Sequence, residues 1–237
     1  MGTHYYKKGE FSLPSVTTII SDCTDKSYHL TRWSAKMACE WIRENTLTDF
    51  YGRDKEYHIV FPDDLDNAAE NFKEVSQTAL DIGSETHAVI EHWLKTGEEH
   101  LNPRPEVLNA FRAFKAFFTE HNMKTHKIEF SVFGDYWAGT LDWFGEFDNK
   151  LYVIDWKTSR SHYPNQHGPQ IAAYRSRVNA KVEGCAVLRI DKETGLPDFK
   201  DYSKRYEKDL EHFLLMKNLF LHRHPIIAKN AGYSPPF

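Results

Sequence analysis

Apolar positions with helical spacing dominate the first hundred residues of this chain. Residues 11–20 pass from a proline-bounded turn into a β-branched run, which we expect to cap the core. The stretch from about Leu65 to Lys95 has few helix breakers apart from Gly83 and predicts one long helix or two abutting helices. Between these segments, apolar residues four positions apart predict a further helix: Trp33, Met37 and Trp41. Residues 1–100 are therefore expected to be mainly helical.

The pattern then changes to short segments with strand character. A helix is predicted over residues 107–118, where large apolar side chains recur at helical spacing after two prolines. Three strands are predicted next, at residues 127–133, 137–147 and 150–158. The turn-like Asp148-Asn149 pair joins the last two, so we expect an antiparallel meander.

The remaining segments complete an α/β pattern. A polar loop with two prolines precedes a helix that is predicted to start near Gln170. A strand at 184–190, its hairpin partner at 198–203 and an amphipathic helix at 206–222 follow. We expect an α/β core over residues 101–237, and, because no linker or repeat interrupts the chain, a single domain over 1–237.

Composition and charge limit the partners and the cellular compartment that we expect for the protein. The net charge of -4 argues weakly against a nucleic-acid partner, although local fields of opposite sign can be hidden in such an average. The three cysteines are scattered and predict neither a disulfide framework nor a cysteine-held cluster. No apolar run is long enough for a membrane span, and the N-terminus lacks the pattern of a targeting signal. We therefore expect a cytoplasmic protein without a membrane partner.

Three charged residues stand out in the predicted strands. Asp142 lies within one strand, and Asp155 and Lys157 lie near the end of the next, in apolar surroundings. Asp155 and Lys157 are two positions apart and project from the same face, which Asp142 reaches if the two strands pair. Two carboxylates beside one ammonium suit Mg²⁺ or Mn²⁺ and the hydrolysis of phosphodiesters. The simpler alternative is a salt bridge at the strand ends.

The surrounding motifs resemble those of the RecB-like branch of the PD-(D/E)xK nuclease superfamily. That pattern is G-x-x-D, then D-x-K-T on the next strand, Q-x-x-x-Y on a helix and G-x-x-x-H on an upstream helix. The matching residues here are Gly139 with Asp142, Asp155 with Lys157 and Thr158, Gln170 with Tyr174, and Gly83 with His87. The resemblance covers residues 83–174 and implies a restriction-endonuclease-like core, a central mixed sheet flanked by helices, with a helical N-terminal extension.

The resemblance also implies a role for each motif residue. Asp142 and Asp155 would bind Mg²⁺ or Mn²⁺, with His87 and the backbone carbonyl of Trp156 completing the ligand set. Lys157 would orient the attacking water and stabilise the charge that develops on the phosphate.

Gln170 and Tyr174 lie four positions apart on one helix face, where they would hold DNA or a catalytic side chain. Core packing is the alternative for Tyr174. A surface position or a satisfied core position is the alternative for His87.

Two glutamates near these motifs are weaker candidates. Glu129 on the first strand would be an outer ligand of the metal site or part of an ion pair at a strand end. Glu91 lies one turn after His87, and two alternatives are open for it: a place in the site, or exposure to solvent.

The expected function is that of a metal-dependent deoxyribonuclease, in particular an exonuclease of the phage or mitochondrial type, acting in a bacterial or phage-infected cell. The cysteines do not suit an iron-sulfur cluster, and no P-loop is present, so a helicase or a single-strand-binding protein would be a separate partner beside DNA. The alternatives are a catalytically inactive nucleic-acid-binding module of the same fold and a metal-dependent hydrolase of smaller phosphoesters.

Overall fold

The structure is a computed structural model that describes residues 4–50, 56–99, 102–178 and 181–234. The chain forms two compact units. Unit 1 takes the described residues of Met1–Thr24 and Gly83–Phe237, and unit 2 is Asp25–Ile82. The expectation of a single nuclease domain stays a prediction.

The N-terminal segment of unit 1 is a hairpin followed by a short helix. Strands β1 (Tyr5–Lys8) and β2 (Phe11–Pro14) pair antiparallel, and helix α1 (Val16–Asp22) follows. Ser15 caps α1, since its hydroxyl accepts a hydrogen bond of 3.0 Å from the Thr18 N–H. The hairpin was not predicted. The β-branched run is helical because the serine cap and burial of its apolar side chains outweigh a modest intrinsic preference for strands.

Unit 2 consists of two helical segments and a hairpin. Helix α2 (Ser27–Asn45) precedes strands β3 (Leu47–Phe50) and β4 (Glu56–Ile59), which pair antiparallel. Helix α3 (Pro62–Thr96) begins in unit 2, and its part from Gly83 onward belongs to unit 1. The prediction of helices around residues 33–41 and 65–95 is confirmed, and the second is one continuous helix.

A mixed five-stranded sheet forms the centre of unit 1. Helix α4 (Pro105–Glu120) precedes its first strand, and its strands lie in sequence order: β5 (Lys124–Phe133), β6 (Ala138–Phe147), β7 (Lys150–Lys157), β8 (Gly184–Ile190) and β9 (Pro197–Asp201). The first three pair antiparallel, as predicted, β7 and β8 are parallel, and β8 and β9 are antiparallel. Asp148 and Asn149, at φ +46° and +63°, form the two-residue turn between β6 and β7.

Helices cover both faces of this sheet. Helix α5 (Pro164–Arg175) crosses from β7 to β8. Gln170 of α5 contacts Asp155, whereas Phe114 of α4 packs against the neighbouring Trp156. Because adjacent strand residues point to opposite faces, α4 and α5 lie on opposite sides of the sheet. Helix α6 (Tyr206–Arg223) packs beside α5, and a short helix, α7 (Pro225–Asn230), follows it.

The prediction that helix α5 starts near Gln170 was wrong. The helix begins at Pro164 and includes Gly168 and Pro169, which were assigned to a loop. Every residue from 167 to 174 is buried, so no polar face marks the residues before Gln170 as helical in the sequence. Pro164 stands in the first turn of the helix, where proline is well tolerated because the N–H it lacks would have no partner there. The mixed α/β fold class is confirmed, and within the described residues no helix has the length and apolarity to cross a membrane.

Candidate functional site

The pairing of β6 and β7 stops where the candidate residues begin. The last pair in register is Trp143 with Ile154. Beyond this pair, the Trp156 N–H donates to a side chain instead of to a backbone carbonyl of β6. Its acceptor is Oδ2 of the buried Asp142, at 2.7 Å. The N–H and C=O of one strand residue point to the same neighbouring strand, so the Trp156 carbonyl faces this gap as well. The gap lies at one end of the sheet and is lined by charged side chains.

Glu129 distorts the adjacent strand at the same level. It lies between the register pairs Ile128–Trp143 and Phe130–Leu141, and its φ of +45° is rare for a residue with a Cβ atom. Such backbone strain inside a strand is concentrated at functional sites. Here it accompanies a carboxylate that points toward the imidazole of His87.

His87 brings helix α3 to the two carboxylates. Its Nδ1 lies 3.8 Å from Glu129 Oε1 and 3.7 Å from Asp142 Oδ2. Among the described residues, one group of donors could share a metal ion: an atom each from His87, Glu129 and Asp142, all within 4.8 Å of one another. Imidazole nitrogen and carboxylate oxygens suit a divalent cation of the first transition row or Mg²⁺.

Asp155 is held from two sides next to this group. Its Oδ2 lies 2.5 Å from the Lys157 ammonium, and its Oδ1 accepts a hydrogen bond of 3.1 Å from the Gln170 amide. Asp155 is 2 % exposed, so removal from water makes this carboxylate depend on both partners. The salt bridge that the sequence suggested is present, but it forms part of a larger polar group.

The carboxyl groups hold protons more tightly than usual. Burial raises the pKa of Asp155 to about 6, and the Lys157 ammonium opposes that rise. Burial raises the pKa of Asp142 too, against the opposing charge of His87. Both shifts have the same physical cause, the loss of hydration of a carboxylate at the end of the sheet.

The pKa values of the two cationic side chains are also raised, but by a different cause. Burial alone lowers the pKa of His87, but the Asp142 carboxylate and Glu129 outweigh it, and the net shift is upward. Burial likewise lowers the pKa of Lys157, whereas Asp155 and Asp142 raise it more. Burial therefore opposes the charge on all four groups, and only the contacts between a carboxylate and a cation stabilise the charged forms.

The motif glycines allow close approach of two elements to the strands. A Cβ atom on Gly139 would lie 2.5 Å from Cε1 of Tyr174, so the tyrosine ring packs directly on the backbone of β6. A Cβ atom on Gly83 would lie 3.1 Å from the hydroxyl of Thr158, next to Lys157. The absence of a side chain at Gly139 and Gly83 therefore allows Tyr174 and Thr158 to pack closely against these positions.

Tyr174 lies in the hydrophobic core and is 3 % exposed. Its hydroxyl is 3.4 Å from the Gln170 amide, and burial raises the pKa of the phenol well above its ordinary value. The buried phenol offers no surface to DNA, and Gln170 of this pair contacts the Asp155 carboxylate instead. The core position suggested as the alternative for Tyr174 is the one observed.

The structure brings together most of the residues that the sequence singled out. His87, Asp142, Asp155, Lys157 and Gln170 converge, and the Trp156 backbone contacts Asp142. Asp155 lies outside the three-residue donor group, and Glu129 lies within it. Glu129, a weaker candidate from the sequence, is thus one of the three grouped donors. Glu91 pairs instead with Lys95.

Sequence reasoning also missed His167, a buried residue near Lys157. Its Nδ1 accepts a hydrogen bond of 3.3 Å from the Tyr163 N–H, which leaves the proton of the neutral ring on Nε2. Burial and the Lys157 charge lower the pKa of His167 to about 4. Its position three residues before Gln170 was the available signal, but the loop assigned to that stretch concealed that the two share a helix.

Comparison with known proteins identified no relative of this chain among family models or curated proteins.

Proposed function

We propose that this protein is a metal-dependent deoxyribonuclease of the RecB-like branch of the PD-(D/E)xK superfamily, with a restriction-endonuclease-like core. One observation carries the proposal: His87, Glu129 and Asp142 converge beside the buried Asp155–Lys157 pair. The order of a helix, three antiparallel strands, a crossover helix and a parallel strand supports the fold assignment.

The donor set suits a divalent cation. His87, Glu129 and Asp142 would hold Mg²⁺ or Mn²⁺, with the Trp156 carbonyl facing the same gap. A bound cation would supply Lewis acidity toward a phosphoryl oxygen and lower the pKa of water.

The other side chains supply orientation and charge. Lys157 lies next to the donor group, where its ammonium can donate hydrogen bonds to the non-bridging oxygens of a phosphodiester and stabilise the negative charge that grows there. Asp155 holds Lys157, and Gln170 holds Asp155. The buried, ordered contacts keep the ammonium aimed at one position before a substrate arrives.

Retention of every polar motif residue favours catalysis over the alternative of an inactive nucleic-acid-binding module. A module that only binds DNA has no use for a buried carboxylate held by two polar partners, since such burial costs stability. The hydrolase of smaller phosphoesters remains the second candidate, because it needs the same donor set.

The deciding experiment incubates end-labelled linear and circular DNA, and a small phosphate ester, with Mg²⁺ or Mn²⁺. We expect the native protein to degrade linear DNA, and Lys157→Ala and Asp142→Asn to lose that activity. Lys150→Ala is the matched control, because Lys150 is an exposed lysine at the opposite end of the same strand.

Intact circles beside degraded linear DNA would identify an exonuclease. Absence of DNA cleavage with either metal, or full activity in both site variants, contradicts the assignment. Hydrolysis of the small ester alone would favour the second candidate.

A further inference from the structure

An aromatic and basic surface adjoins the candidate site along β5 and β1. Phe133, at the end of β5, is 36 % exposed. The Tyr6 ring meets it edge to face at 6.5 Å, and the Lys8 ammonium lies 5.7 Å from its centroid. We call this group the aromatic subsite: Phe133, Tyr6 and Lys8.

This aromatic subsite is connected to the catalytic strands. The Tyr6 hydroxyl forms a hydrogen bond of 3.0 Å with Thr140, which lies two residues before Asp142 on β6. Phe133 follows Glu129 by four residues along the same strand, β5. At a rise of about 3.4 Å per residue, the two positions are about 14 Å apart.

The chemistry of the aromatic subsite fits unpaired nucleotides. An exposed aromatic ring stacks on a base of any identity, and an adjacent ammonium pairs with the phosphate of the same strand. In a duplex the base faces are already stacked on one another, so Phe133 would find no partner there. A protein partner would require a larger apolar area than one half-exposed ring beside a lysine.

We propose that the aromatic subsite binds single-stranded DNA and guides one strand toward the candidate site. Phe133 stacks on a base, Lys8 contacts a backbone phosphate, and Tyr6, tied to Thr140, fixes the hairpin against β6. The inference rests on the proposed nuclease function and adds a strand preference to it.

The hairpin itself provides matched controls. Tyr5 and Lys7 alternate with Tyr6 and Lys8 along β1 and therefore point to the opposite face. Tyr5 is 41 % exposed, close to the value for Phe133, and Lys7 is exposed like Lys8. Each control removes the same kind of group as its test variant, so changes in net charge and bulk hydrophobicity cancel in the comparison.

The experiment measures the affinity of a fluorescein-labelled single-stranded oligodeoxynucleotide by anisotropy, in a Lys157→Ala background that prevents cleavage. We expect Phe133→Ala to raise Kd about tenfold, as loss of one stacked base does, and Phe133→Tyr to restore it. Lys8→Ala should lower the slope of log K against log salt by about 0.7, the value for one phosphate contact on a single strand. Tyr5→Ala and Lys7→Ala should bind as the background protein does.

Unchanged binding by Phe133→Ala would overturn the inference, as would an equal loss in Tyr5→Ala. An equal loss of affinity for a blunt duplex would also overturn it. Thermal unfolding of each variant identifies general destabilisation, and restoration of the affinity by Phe133→Tyr excludes it.

A protein that binds single strands through Phe133 but cleaves no DNA would refute the nuclease while leaving the aromatic subsite intact. DNA cleavage that is unchanged by Phe133→Ala and Lys8→Ala would refute the aromatic subsite while leaving the nuclease intact.

Discussion

The side-chain amide of Gln170 donates a hydrogen bond of 3.1 Å to Oδ1 of the buried Asp155. The other carboxylate oxygen, Oδ2, is paired with Lys157. A helix and a strand end are thereby joined through one carboxylate, which cannot rotate without losing a partner. Gln170 is accordingly a positioning residue in this structure, since it acts on the site through Asp155.

Replacement of Gln170 tests this role. We expect Gln170→Ala to lower kcat on DNA about 10- to 100-fold with little change in KM, because loss of a group that orients a site residue typically costs that much. The measurement is steady-state cleavage of a labelled linear substrate. Gln166→Ala, one turn earlier on the same helix, should stay close to native activity. A fully active Gln170→Ala protein would show that Asp155 needs no such support.

Glu129 is expected to bind the metal directly. Glu129→Gln should weaken Mn²⁺ binding about tenfold or more, because it removes one anionic ligand of the group formed with His87 and Asp142. Titration calorimetry of the native and variant proteins measures the effect. Glu146→Gln is the control, since that carboxylate lies on the neighbouring strand β6 and pairs with Lys124. Equal Mn²⁺ affinity in all three proteins would remove Glu129 from the site.

Gly139 is expected to tolerate no side chain while Tyr174 is present. The methyl group of Gly139→Ala would overlap the tyrosine ring, 2.5 Å away, and should lower the free energy of unfolding by about 1–3 kcal/mol, as overpacking does in other cores. Urea denaturation gives this value. Adding Tyr174→Leu should recover part of the loss, so the two changes combine to less than their sum. Simple additivity would mean that the ring is not the cause.

Cys185 should be unreactive in the folded protein. Burial raises the pKa of its thiol to about 11, so the thiolate that reacts with iodoacetamide is scarce at pH 8. The exposed Cys39 provides the comparison. Mass spectrometry should find Cys39 alkylated and Cys185 modified only after denaturation. Rapid native labelling of Cys185 would contradict its placement in the core.

The same shift predicts how stability depends on pH. The unfolded thiol loses its proton near its ordinary pKa of 9, whereas the folded thiol keeps it to about 11. Stability from this group is therefore present below pH 9 and is lost as the pH rises toward 11. Cys185→Ala should lack this component of the alkaline loss, which denaturation curves at pH 8 and pH 10.5 can compare.

The sequence by itself determined the strands of the five-stranded sheet and the residues of the candidate motifs. The segments around Asp142 and Asp155 have strong strand character, and the Asp148-Asn149 pair marks a tight turn, so local preference and observed structure agree there. The spacing of Asp155 and Lys157 was sufficient to place both on one face, because strand alternation is independent of the rest of the fold.

Tertiary structure decided what local patterns cannot encode. Glu129 meets His87 only because β5 and α3, forty-two positions apart along the chain at these residues, are packed around the same sheet end. The first part of helix α5 was not readable because residues 167 to 174 are all buried and show no polar face, so His167 was assigned to a loop. Contacts between residues distant in sequence depend on packing and on desolvation of charge, and these arise only when the whole sheet and its helices assemble.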